Sequence, residues 1–222
     1  MSHHFQYTDL RRMTRWMGWL LVIPLLLTVR GFVHGLSNYR WLADVPANQP
    51  LAGLPPDLQH SLQLDSLLRL SQISATMVFL TFFCFAWLFL AFRNLIALTE
   101  LRENTVRNSV GILKEITGGL LTATSMLRRL FHNSTPESHA HLTLRYTIPA
   151  CTLALIAANV CKIVAVIKLH DAASVGDWRS GEGWMLYGYA CYVLLYVLAW
   201  RVATRLEMLQ RAAWHQRQAA KV

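Results

Sequence analysis

Apolar residues in this chain gather into four long runs instead of alternating with polar ones. The runs are Trp16 to Leu36, Ser74 to Leu98, Thr147 to Leu169 and Trp184 to Arg205, and each is broken by at most two charges. A hydrocarbon core about 30 Å thick needs roughly 20 such residues in a helix, and a helix satisfies its own backbone where no water is present. The lack of period-2 alternation excludes a barrel. The first run follows Arg11, Arg12 and Arg15 in the manner of a signal peptide. It is too long for one and lacks a small-residue cleavage site, so it reads as a retained anchor.

Between the first two runs, "SNYRWLADVPANQPLAGLPP" carries turn punctuation at Pro46, Pro50, Gly53 and Pro55-Pro56. A helix is expected to start at Asp57, whose carboxylate suits the exposed N–H groups of a first turn. Leucines at 58, 62, 64, 67, 68 and 70 leave a polar face at Gln59, Gln63, Ser66 and Arg69, and no breaker separates them from the second run. One helix is therefore predicted from Asp57 to about Glu103, projecting from the outer face. After it, Val110, Leu113, Ile116, Leu120, Leu121, Leu127 and Phe131 recur near a helical period around Gly118-Gly119. This predicts a broken amphipathic helix over 104–134 at the inner interface, or a re-entrant hairpin bending at the glycines.

Together these elements predict an all-α fold, an integral membrane bundle of four transmembrane helices forming one domain over 1–222. The spans run over 16–36, 74–98, 147–169 and 184–205, with an outer loop at 37–73.

Composition agrees with that class. Hydrophobic residues make up 54% of the 222 and charged ones 15%, well below the share usual in soluble domains. Charge then orients the spans. Of 21 Lys and Arg residues, three precede the first run, seven lie between Arg93 and Arg145, and five follow from Arg201 onward. The opposite side holds Arg40, Arg69, Lys168 and Arg179. Basic loops stay inside, so both termini are expected in the cytoplasm, on a bacterial inner membrane. The net charge of +9 is explained by cations meeting anionic headgroups, and no nucleic-acid-binding signature accompanies it.

The stretch "WLFLAFRNLIAL", Trp87 to Leu98, marks one edge of the second run with Trp87, Arg93, Asn94 and Leu95. It resembles an uncharacterised family of bacterial membrane proteins, domain of unknown function family 4328. "SMLRRLFHNS" is similar to that family's later segment, through Met126, Arg128 and Ser134. Thr99 stands where the family usually has Gly, Phe131 where it has Trp, and the prolines of its following segment are missing. The resemblance implies a four-span fold and no activity.

Site candidates are few. Arg30 and Lys162 lie inside spans, each about 22–26 Å along its helix from Arg15 or Arg145. Intramembrane cations at one depth suggest an outer-facing site for an anion or lipid headgroup, with Asn159 one turn before Lys162. The bland alternative is that both snorkel outward or pair with Asp171 and Asp177. His34, His60 and His170 fall near the outer face without a short metal-ligand spacing, and His139 and His141 lie in a linker. Cys84, Cys151, Cys161 and Cys191 fall within spans and read as small hydrophobes. Tyr189, Tyr192 and Tyr196 share one face of the fourth span and read as packing. No hydrolase, protease or nucleotide-binding motif occurs, and the four spans contain no acidic residue.

The expectation is thus a non-enzymatic membrane module without cofactor or metal. It is embedded in the lipid bilayer, forms a homo-oligomer or docks on another membrane protein, and binds no nucleic acid. Ala154, Ala157 and Ala158 offer a face for close helix approach. The alternative is a small transporter or channel built on Arg30, Asn159 and Lys162.

Overall fold

The computed structural model describes residues 7–99 and 141–219. Its described residues are helical, apart from short connections. The long helices are α1 (Arg11–Ala43), α2 (Pro56–Thr99), α3 (His141–His170) and α4 (Val175–Ala219), with a one-turn 3-10 helix at Leu51–Gly53. Arg11–Ala43, Tyr146–His170 and Val175–Gln216 are each long and apolar enough to cross a membrane. The expected segment 104–134, with Met126, Arg128 and Ser134, lies outside the described residues.

The expected helix from Asp57 is present, starting one residue earlier. Pro56 sits at the first helical position, where its missing N–H costs nothing, and Asp57 occupies the first turn. Within the outer region 37–73, residues 37–43 are still helical, which shortens the expected connection before Asp57 to residues 44–55. Apolar windows report hydrocarbon thickness, whereas a helix continues through polar residues until a breaker stops it. The first breaker after Leu36 is Pro46.

For the same reason α4 begins at Val175 and not near Trp184. Its start is fully accounted for. Ser174 and Asp177 bond reciprocally, the Asp177 N–H to Ser174 Oγ at 3.2 Å and the Ser174 N–H to Asp177 Oδ2 at 3.2 Å. This is a capping box with Asp in the third position. The N–H groups of Val175 and Gly176 donate to the carbonyls of Gln49 and Ala47, both at 2.9 Å. All the exposed donors that a helix start leaves open are thereby used.

The chain forms two compact units. The loop unit comprises Val22–Phe79 and Leu153–Tyr196, and the terminal unit comprises the described parts of Met1–Leu21, Leu80–Thr152 and Val197–Val222. In the loop unit, α4 buries Trp178, Glu182, Met185, Tyr189, Tyr192 and Tyr196, spaced alternately four and three residues apart as one helix face requires. These bulky groups meet small ones. A Cβ placed on Gly31 of α1 would lie 2.7 Å from the Tyr189 ring, and one on Gly188 would lie 3.4 Å from Cys161 of α3. Ala154 and Ala158 are buried, and a Cβ on Gly188 would also lie 3.6 Å from the Ala158 carbonyl. The small face of α3 is thus used within the chain. In the terminal unit the core is Leu10, Met17, Leu21, Trp87, Ala91, Ile148, Val202, Ala203 and Leu206.

Outward, the helices carry large apolar residues. Trp19, Ile23, Leu26 and Val33 of α1, Leu153 and Ile163 of α3, and Leu194 and Val197 of α4 are all exposed. Gly31→Ala forces a methyl into the buried Tyr189 ring. It should destabilise the protein by about 1–3 kcal/mol in detergent-based thermal unfolding. Gly53→Ala, which meets nothing within 4 Å, should stay within about 0.5 kcal/mol of the parent.

Candidate functional site

The buried polar side chains locate the sites worth weighing. In the loop unit they centre on Arg69 and Glu182, 5% and 0% exposed. The two meet fork to fork: Arg69 Nη1 donates to Glu182 Oε2 at 2.8 Å and Nη2 to Oε1 at 2.6 Å. Such bidentate pairs are among the stronger polar contacts. Arg69 Nη2 also lies 3.0 Å from Asp65 Oδ2, one turn earlier on α2. From α1, Asn38 Nδ2 donates to that oxygen at 2.9 Å, and His34 Nδ1 stands 3.5 Å from it.

Three helices thus join in one network of two carboxylates around one guanidinium. Gly35 makes the room, because a Cβ there would come 2.8 Å from Arg69 Nη1. The network holds charge in place, and its inner members are committed to one another.

The terminal unit solves a similar problem with neutral groups. The segment before α1 has no helix to satisfy its backbone, and Asn94 does so. Its Oδ1 accepts from the Thr8 N–H at 2.9 Å and its Nδ2 donates to the Thr8 carbonyl at 2.7 Å. Trp87 Nε1 donates to Thr14 Oγ1 at 3.0 Å, and Gln210 Nε2 donates to the Ala91 carbonyl at 2.8 Å. Positions 87, 91 and 94 share one helical face, so this face of α2 clasps both the N-terminal segment and α4. Arg93 Nη2 adds a longer bond to Thr8 Oγ1, 3.4 Å. Tyr7 stacks on Trp214, centroids 4.8 Å apart. Burial there, with the neighbouring Asp9 and Glu207 carboxylates, pushes the Tyr7 phenol above its ordinary pKa.

Of the residues expected to form an anion site, Lys162 is half-buried and donates to Ser74 Oγ at 2.7 Å. Asn159 turns its amide back to the Leu155 carbonyl of its own helix at 2.8 Å, and Arg30 is exposed. Each therefore has its own surroundings. The histidines also have separate neighbours: His34 faces Asp65, and His170 faces Asp171 at 2.9 Å. Among the described residues no group of three His, Cys, Asp or Glu side chains is placed to hold a metal. Among the described residues Cys161 and Cys191 are not joined in a disulfide.

Trp87, Arg93 and Asn94, singled out by resemblance, make specific contacts, while the side chain of Leu95 lies outside the described residues. Glu182 was missed because it falls two residues before the fourth apolar run, and Arg69 because it reads as one of the solvent-facing polar residues of the helix from Asp57. A usable signal existed in the Ser-x-x-Asp of residues 174–177, which starts α4 early enough to make Glu182 helical. Comparison of the chain with family models, with curated proteins and with solved structures finds no match.

Removing Arg69 strands the buried Glu182 carboxylate, at a cost of about 3–5 kcal/mol, whereas removing Glu182 leaves Arg69 paired with Asp65 alone. Arg69→Met and Glu182→Gln should each lower the unfolding midpoint more than the double substitution does. Strictly additive losses would contradict the coupling. Asn94→Ala deletes two hydrogen bonds, about 2 kcal/mol at about 1 kcal/mol each. Hydrogen exchange should rise in a peptide covering residues 7–14 and stay unchanged over residues 44–55.

Proposed function

We propose that this chain is a non-enzymatic integral membrane module of four spans. Its termini lie on the cytoplasmic side of a bacterial inner membrane, and it works by associating with copies of itself or with another membrane complex. The observation that carries this reading is the exposed stripe of Leu64, Leu67 and Leu68 on α2. These leucines precede the apolar run that starts at Ser74, and their i, i+3, i+4 spacing presents one face suited to helix-to-groove docking. The inner polar groups support the same reading, because Arg69, Glu182, Asn94 and Trp87 have partners within the chain. The resemblance of Trp87 to Leu98 to the family of unknown function fits a structural clasp and implies no chemistry.

A second reading, a small transporter with an anion path at Lys162, has one observation in its favour. The Lys162 ammonium is half-buried and bonds to the neutral hydroxyl of Ser74, which leaves its charge available to an anion.

Native mass spectrometry of the full chain purified in mild detergent separates the two. A defined homo-oligomer or a stoichiometric membrane partner is expected, and Leu67→Glu should release it while leaving the fold intact. A monomer that keeps a bound anion, lost on replacing Arg30 and Lys162 together with Gln, would overturn the module in favour of the transporter.

A further inference from the structure

A second site lies at the start of α1, away from the groups used above. Arg12, Arg15, Trp16 and Trp19 line an open surface groove of about 430 Å³ in the terminal unit. Their spacing of three, four and seven residues puts them on one helical face. Arg11 is taken by Asp9 at 3.2 Å. Arg12 and Arg15 are exposed, and among the described residues neither has an acidic partner. Trp16 and Trp19 are 57% and 70% exposed, far more than a soluble surface favours for so large an apolar group.

The order along the helix is informative. Guanidiniums come first, indole rings next, and over the following two turns the exposed side chains of α1 are aliphatic: Val22, Ile23 and Leu26. Charge, then amphipathic ring, then hydrocarbon is the order met on passing from phosphate through the interface into acyl chains. A free anion would use only the first part of that gradient, and a nucleic acid would leave the aliphatic part unexplained. We propose that Arg12 and Arg15 bind the phosphodiester of an anionic glycerophospholipid, whose glycerol and upper chains pack on Trp16 and Trp19. Two guanidiniums one turn apart present forked donors suited to phosphate oxygens. This rests on the membrane reading given above.

The test uses the full chain in neutral detergent, titrated separately with phosphatidylglycerol, phosphatidylcholine of the same chain length, and inorganic phosphate. Bound lipid is read by native mass spectrometry and by the shift in unfolding temperature. Phosphatidylglycerol is expected to be retained in preference to phosphatidylcholine. The double variant Arg12→Gln, Arg15→Gln should weaken it about 30-fold, two contributions of about fivefold each. Arg40→Gln, an exposed cation elsewhere on α1, should leave it unchanged. If the double Gln variant fails to fold, Trp19→Leu serves instead and should lower affinity while keeping the preference for phosphatidylglycerol.

Equal retention of both lipids, or unchanged affinity in a folded double Gln variant, would overturn the site. Protection by inorganic phosphate matching that by phosphatidylglycerol would assign the groove to a free anion and overturn it too. Alkaline extraction of native membranes tests the underlying reading separately. A chain that is released fails both, whereas a retained chain without lipid preference fails only the site.

Discussion

A guanidinium and a carboxylate can leave water together only if each supplies what the solvent supplied to the other. Desolvating either ion alone costs several kcal/mol, so the geometry of Arg69 and Glu182 constrains everything around them. Both terminal nitrogens of Arg69 must meet both oxygens of Glu182, which fixes the rotation of α2 and α4 in the loop unit. Asp65 then needs its own donors, and Asn38 and His34 bring α1 into register. Gly35 has no side chain because the guanidinium occupies that space. Docking of Gln49 and Ala47 on the first turn of α4 holds Glu182 at the right height. The cap, the glycine and the polar residues of three helices are therefore consequences of one buried pair.

The terminal unit meets the same constraint at lower electrostatic cost. What needs satisfying there is backbone, the N–H and carbonyl of Thr8. A primary amide is the side-chain group that offers one acceptor and one donor side by side. Asn94 therefore does work that neither Asp nor Leu of similar size can do, since each lacks one half of the pair. The marked edge of the second apolar run is explained by this geometry. Trp87 and Asn94 are spaced to reach α1 and the segment before it from a single face, and Ala91 between them stays small while its carbonyl receives Gln210.

Much of the helical layout was legible because its signals are local. Pro46, Pro50 and Pro55-Pro56 bound a connector, Asp57 marks a start, and the runs of apolar residues give the positions of α1, α3 and α4. The ends were less legible, because polar residues such as Ser37 to Arg40 remain helical whenever nothing breaks them. The buried pair was least legible. Arg69 and Glu182 are 113 positions apart, each at the polar fringe of its helix, and no local pattern announces that two such fringes meet. The same limit applied to Lys162, where helical spacing placed Asn159 on its face but gave no sign that the amide would turn to Leu155.

The polar contacts also separate the possible uses of the molecule. A conduction path needs groups that can exchange partners with a moving ion, and a fork-to-fork pair with no exposed carboxylate is poorly suited to that. Glu182 gives up Arg69 only at the cost of a buried carboxylate without its cation. Asn94 likewise holds the N–H and carbonyl of Thr8, which have no other hydrogen-bond partner among the described residues. Lys162 differs, because a serine hydroxyl supplies an acceptor but no countercharge. A lysine stem is long and flexible enough to carry its ammonium toward headgroups, so this site need not hold a substrate to be tolerable. The buried charges of the loop unit therefore fix shape, and the large apolar and cationic groups without such commitments lie on the surface. Among them are the leucines of α2 and the arginine-tryptophan face of α1.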